Sequence, residues 1–135
     1  MKSILARLAG VVFVFGLVAC GSSSRSADEA SIEYVRNCFS GSGTEFLSNA
    51  RGPNGTTFDK GRVAERTQDI AQLRSFAQAR GGLKAISVLK SSNISNEIHK
   101  NLMLMELKVE FHNGEAVDYA VKVALIDDVW RVLVD

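Results

Sequence analysis

Apolar residues occupy every second position along two long stretches near the end of the chain, and this alternation limits the fold more than any other feature. The two stretches are 103–111 and 117–125, and the positions between hold mainly charged or small residues. A shorter alternation over 130–134 follows. A period of two predicts strands that bury one face. With a weaker strand over 83–90, the pattern predicts a four-stranded sheet with one apolar face.

The connection at 127–128 agrees with this alternation. A two-residue turn there sets Leu125 opposite Trp130 and Val123 opposite Val132. All four apolar side chains then lie on the same face of the sheet.

The Asn113-Gly114 dipeptide, by contrast, does not fit a two-residue turn. Such a turn would place the apolar residues of the two strands on opposite faces, because a shift of one residue reverses the facing. A three-residue loop over 112–114, with Gly114 in the left-handed conformation and a bulge, restores the agreement. It sets Val109 opposite Val117, and the four strands form an antiparallel meander.

Three helices are predicted ahead of the strands, which makes the fold α+β. The first covers Asp28–Phe39, and a short second helix covers about Thr44–Ala50. The third ends at Arg80, before two glycines suited to a helix C-terminus. It begins at either Asp59 or Thr67, since both residue types are good N-caps.

The N-terminus has the composition of a secretory signal. Lys2 and Arg7 precede a short apolar run, Leu8–Ala19, which ends at Cys20. The last four residues resemble the bacterial lipoprotein signal, in which the cysteine receives a diacylglycerol and becomes the new N-terminus. The sequence therefore predicts a signal peptide over 1–19 and acyl chains such as palmitate on Cys20. The alternatives are an ordinary signal peptide and an uncleaved membrane anchor, for which the run is short.

The small and polar composition of residues 20–27 predicts a flexible tether with an average reach of roughly 16 Å. In enterobacterial lipoproteins an aspartate after the cysteine retains the product in the inner membrane. Gly21 departs from that pattern, and the resemblance implies the outer membrane, facing the periplasm, if the source is Gram-negative.

The charge balance of the remaining chain is nearly neutral. Two of the 16 basic residues lie in the signal, which leaves 14 basic and 15 acidic residues in the rest of the chain. This argues against nucleic acid as a partner. With Cys20 acylated, Cys38 has no partner for an internal disulfide. We expect it to be buried as a small apolar residue, the alternatives being an intermolecular disulfide or a reactive thiol.

Three local features together resemble a known superfamily. They are the Gly81-Gly82 entry into the first strand, the segment Phe111–Glu115, and the final strand headed by Asp127–Val132. Over 28–135 the chain resembles small bacterial lipoproteins of the nuclear-transport-factor-2-like superfamily, in a family defined only as a domain of unknown function. The resemblance implies one domain with a curved, cone-like (cystatin-like) sheet, often with a pocket and often dimeric. Where that family has Gly-Asp between its first two helices, this chain has Ser40–Gly43.

No catalytic residue can be transferred from this resemblance, and the inward positions of the strands are almost entirely apolar. Only Tyr119 and Trp130 carry polar atoms there, which favours a core or an apolar pocket over a proton-transfer site. The candidate pocket residues are Arg66, Met105, Leu107, Tyr119 and Trp130.

Arg66 faces this pocket only if the third helix begins near Asp59. We favour Thr67 as the N-cap, which leaves Arg66 in solvent. His99 and His112 have no companions at ligand spacing, so neither a metal nor another cofactor is expected.

These observations leave three functional hypotheses. The favoured one is a membrane-anchored lipoprotein whose non-catalytic domain binds an apolar or amphiphilic small molecule, or a partner protein of the envelope. The second is a lyase or isomerase with a pocket in the cone, and the third is a purely structural surface lipoprotein. The resemblance adds a homodimer as a candidate assembly.

Overall fold

The computed structural model describes residues 26–41 and 49–134. The predicted signal peptide, Cys20, the tether up to residue 25 and most of the predicted second helix lie outside these ranges. The elements are α1 (Ala27–Ser40), β1 (Ala50–Arg51), α2 (Lys60–Gln78), β2 (Leu83–Asn93), β3 (Leu102–Phe111), β4 (Ala116–Ile126) and β5 (Val129–Leu133). Within the described ranges, no helix has the length and apolar character needed to cross a membrane.

The sheet has five strands in the order β1-β5-β4-β3-β2. Strands β2 to β5 form the predicted antiparallel meander. Strand β1 pairs with β5 in parallel, so the expectation of four purely antiparallel strands is wrong in this respect. Ala50, predicted to end a short helix, instead lies opposite Val132. Two residues are too few to show an alternation, and the partner of Ala50 follows it by 82 residues.

Both predicted turns are confirmed. Asp127 and Asp128 have φ values of 51° and 66°, as a two-residue hairpin turn of the primed type requires. At the other hairpin Gly114 has a φ of 94°, and its amide donates a hydrogen bond to the Phe111 carbonyl at 3.0 Å. Val109 lies opposite Val117, as the three-residue loop predicts.

Both described helices begin at side-chain caps. Ser26 and Glu29 form a reciprocal capping box at the start of α1. The Asp59 carboxylate accepts a hydrogen bond from the Arg62 amide and caps α2. The preferred start at Thr67 is therefore wrong. The Thr67 hydroxyl donates back to the Val63 carbonyl at 2.8 Å, as it does inside a helix.

Helix α1 lies across the inner face of the sheet, and α2 packs mainly against α1. Phe39 from α1 and Phe76 from α2 meet Phe111 of β3 edge to face, with ring centroids 5.8 and 5.6 Å apart. Of the predicted inward residues, Leu125 is an exception. It is 36% exposed, because it lies beside the turn at the end of its hairpin.

Candidate ligand pocket

A partly open cavity of about 250 Å³ lies where β5 ends beside β4. The last pair between these strands is Lys122 with Leu133, so residues 116–121 of β4 have a partner strand on the β3 side only, among the described strands. The gap lies next to α1 and α2. The lining residues are Tyr34, Arg66, Tyr119, Ala120, Val121, Lys122, Val132, Leu133 and Val134.

Arg66 is the charged group at the inner side of this pocket. Because α2 begins at Asp59, Arg66 lies two turns into the helix, and only 16% of its side chain is exposed. Its Nη2 donates a hydrogen bond to the Tyr34 hydroxyl at 3.0 Å. Its Nη1 lies 3.2 Å from a carboxylate oxygen of Asp69, whose side chain is 57% exposed. The Nε is buried and has no hydrogen-bond partner among the described residues.

Two tyrosines surround the guanidinium, Tyr34 from α1 and Tyr119 from β4. Burial raises the pKa of Tyr34 well above its ordinary value, Cys38 adds to the rise, and Arg66 opposes it only in part. Burial and Cys38 raise the pKa of Tyr119 in the same way, again against the effect of Arg66. Both hydroxyls therefore stay protonated near neutral pH and act as hydrogen-bonding groups.

Arg66 keeps its charge in this setting. Burial lowers its pKa, but Tyr34, Tyr119 and Cys38 together outweigh that effect and leave the pKa raised.

Cys38 lies one helical turn from Tyr34 on α1 and is fully buried with a free thiol, as predicted. Burial raises its pKa to about 11, against smaller lowering effects from Tyr34 and Arg66. At neutral pH it is a protonated thiol, which is a poor nucleophile.

Comparisons with known proteins identify the fold. A protein from Campylobacter jejuni with the provisional name NTF2-like transpeptidase superposes with a TM-score of 0.66, over 79% of this chain and 96% of that chain. The domain has the NTF2-like fold. The sequence identity is 19%, so the likeness concerns the fold alone. No protein-family model matches the chain, and no curated protein matches it.

The NTF2-like domain brings together two of the five predicted pocket residues, Arg66 and Tyr119. Met105 and Leu107 are fully buried in the core. Trp130 is half-buried and packs against the core without lining the cavity.

Sequence reasoning missed Tyr34 and Lys122. Tyr34 is one turn from Cys38, on the apolar side of α1, so its helical position was a usable signal. Lys122 lines the cavity because β5 ends beside it, and nothing in the sequence marks that point.

The two histidines lie away from this pocket. The ring of His99 forms a 3.0 Å hydrogen bond with the Pro53 carbonyl, and His112 is exposed at a hairpin. No cluster of three metal-ligating side chains occurs in the described ranges.

Chemically, the pocket offers a buried cation, two neutral hydroxyls and the apolar surface of three valines. These groups can bind and orient a polar head beside an apolar body. At neutral pH neither tyrosine can abstract a proton.

Proposed function

We propose that this chain is a lipid-anchored protein of the cell envelope whose NTF2-like domain binds a small amphiphilic molecule and catalyses no reaction. The single observation that carries this proposal is the pocket, which joins the Arg66 guanidinium and tyrosine hydroxyls to Val121, Val132 and Val134. Ligand sites typically combine an apolar lining with a few convergent polar groups.

The size of the pocket limits the ligand. Because a water molecule occupies about 30 Å³ in the liquid, 250 Å³ corresponds to roughly eight non-hydrogen atoms. A molecule of that size, or one end of a longer molecule that emerges through the open side, would fill the site. A solid structural domain would not need a polar cavity of this kind.

A lyase or isomerase needs a base held near neutral pKa in the pocket. The raised pKa values of Tyr34 and Tyr119 keep both hydroxyls protonated, and Arg66 stays a cation. Asp69 is a carboxylate, but it is largely exposed and paired with Arg66. Among the described lining residues, binding is therefore better supported than proton transfer.

The provisional name of the Campylobacter jejuni protein raises the question of transpeptidation, which commonly proceeds through an activated nucleophile. Cys38, the cysteine within the described ranges, is fully buried, and its pKa is about 11. Neither property suits an attacking group. The lining described here therefore favours a binding role over acyl transfer.

The anchor in this proposal is the predicted acylated Cys20, followed by a short tether. Two or more acyl chains give durable membrane attachment. The tether would hold the domain at an average of about 16 Å from the bilayer. Metabolic labelling with a fatty-acid analogue should mark the wild type and leave Cys20→Ala unmarked.

The binding proposal is tested by filling the pocket. Val134 lines the cavity and is half-buried, so Val134→Trp should occupy its volume. Ile98→Trp is the matched control, since Ile98 is 67% exposed on a loop outside the cavity. The full chain in lipid nanodiscs is titrated calorimetrically with a panel of six-carbon amphiphiles, with empty nanodiscs as the blank.

We expect at least one amphiphile to bind the wild type and the Ile98→Trp control equally. The Val134→Trp variant should bind it at least tenfold more weakly at unchanged melting temperature. Binding that survives Val134→Trp, or no binding to the wild type by any member of the panel, overturns the proposal.

A further inference from the structure

The charges around the cavity are unbalanced. Arg66 lines it from the inner side, and the described carboxylate that bonds this guanidinium is Asp69. Asp69 lies on the solvent side, with 57% of its side chain exposed, and an ion pair in that position is screened by water. The inner wall of the cavity therefore carries the positive charge of Arg66, which no carboxylate among the described lining residues balances.

The guanidinium of Arg66 also has an unfilled hydrogen-bonding position. It is 84% buried, since 16% of its side chain is exposed, and its partners inside the protein are the neutral hydroxyls of Tyr34 and Tyr119. The Nε–H is buried and has no partner among the described residues. Buried charged groups are ordinarily paired and hydrogen-bonded, so this arrangement lacks an acceptor.

We infer that the ligand of this pocket carries one anionic group, a carboxylate or phosphate type oxyanion, which Arg66 binds while the apolar part contacts the valines. This rests on the proposed function and names its ligand class. A guanidinium presents planar donors that match such oxyanions, and the two tyrosine hydroxyls lie beside it.

The ligand class distinguishes between molecules that share a six-carbon skeleton and differ in their head group. Hexanoate has eight non-hydrogen atoms, which corresponds to the estimated capacity of the cavity. Hexanol and hexylamine have the same number of carbon atoms but carry a neutral and a cationic head group. Hexyl phosphate carries the other oxyanion, so comparing it with hexanoate separates the two head groups.

The experiment titrates the full chain in lipid nanodiscs with these four compounds by calorimetry. Arg66→Met removes the charge and keeps much of the side-chain volume. Arg62→Met is the matched control, because Arg62 lies one turn earlier on α2 and pairs with Glu65 instead of lining the cavity.

We expect hexanoate or hexyl phosphate to bind the wild type and Arg62→Met at least tenfold more tightly than hexanol. Hexylamine should bind most weakly. The preference for the anion should vanish in Arg66→Met. Equal binding of hexanoate, hexyl phosphate and hexanol to the wild type overturns this inference and leaves the proposed function standing. If none of the four compounds binds, both fail.

A second measurement on the wild type keeps the test valid if Arg66→Met does not fold. The Nε–H resonance of Arg66, assigned by nuclear magnetic resonance, should shift with the bound anion and not with hexanol. A resonance unmoved by saturating hexanoate and hexyl phosphate contradicts a direct role for Arg66.

Discussion

Strands β3 and β4 are neighbours with the same alternating pattern, yet their inner faces differ. Met105 and Leu107 of β3 are completely buried, whereas Val121 and Tyr119, their partners across the ladder on β4, line a cavity. Strand β3 is flanked on both sides along its length by β2 and β4. Strand β4 pairs with β5 only over residues 122–126, so residues 116–121 have no partner on that side among the described strands.

This difference indicates that the pocket arises from the lengths of the strands and not from the amino-acid composition of their inner faces. Strand β5 has five residues and β4 has eleven, so part of β4 lacks a neighbour on one side among the described strands. A cavity forms there, and Arg66 and Tyr34 reach it from the helices. The inner face of the sheet is thus solid on β3 and open at one end of β4.

The largest effect on the free energy of unfolding should come from replacing a valine by alanine on each of the two strands. Val109→Ala on β3 should lower the free energy of unfolding by about 2.5 kcal/mol, because lost burial and a new cavity add up. Val121→Ala on β4 should cost about 1.5 kcal/mol, because its side chain already borders open space. Urea unfolding measures both. Equal losses would mean that the inner faces do not differ in packing.

A smaller effect should follow from the titratable groups beneath the pocket. The pKa of Cys38 is raised to about 11, so the folded state holds the thiol proton more tightly than the unfolded state does. The resulting stability is complete below about pH 9 and is lost as the pH rises through 11. Between pH 7 and pH 10 the thiol should contribute a loss of roughly 1.4 kcal/mol, to which Tyr34 and Tyr119 add in the same direction.

Cys38→Ala is the comparison for this pH dependence. Between pH 7 and pH 10 the free energy of unfolding of this variant should fall by about 1.4 kcal/mol less than that of the wild type. A fall of the same size in both proteins would show that the thiol titrates alike in the folded and unfolded states.

The smallest of the three effects concerns the helix that carries Arg66. Asp59→Ala should cost about 1 kcal/mol, because it removes the N-cap of α2. Thr67→Ala, at the alternative cap position, should cost less than about 0.5 kcal/mol, since Thr67 is inside the helix. Thermal or urea unfolding of both variants checks the order. The reverse order would move the start of α2 and take Arg66 out of the pocket wall.

Much of the fold follows from the sequence by local rules. The alternation and its parity set the meander, both hairpin turns and the pairing of Val109 with Val117. The start of α2 was ambiguous because Asp59 and Thr67 are both good caps, and the structure places the cap at Asp59, whose carboxylate accepts from the Arg62 amide. Strand β1 was missed because two residues carry no periodicity.

The pocket was predictable only in part, for a related reason. Alternation indicates which side chains face inward, but it does not distinguish a packed neighbour from an empty space. Met105 and Tyr119 therefore looked alike as candidates. The length of β5 relative to β4 separates them, and that length becomes visible only when the strands are paired.

The parallel pairing of β1 with β5 also bears on how the protein folds. Ala50 pairs with Val132, which follows it by 82 residues, so this contact has a high sequence separation. Contacts of high sequence separation slow folding. During synthesis the helices and the first hairpin emerge early, but β1 has no partner until the last strand leaves the ribosome. The segment around Ala50 should therefore be the last to gain protection from hydrogen exchange during refolding.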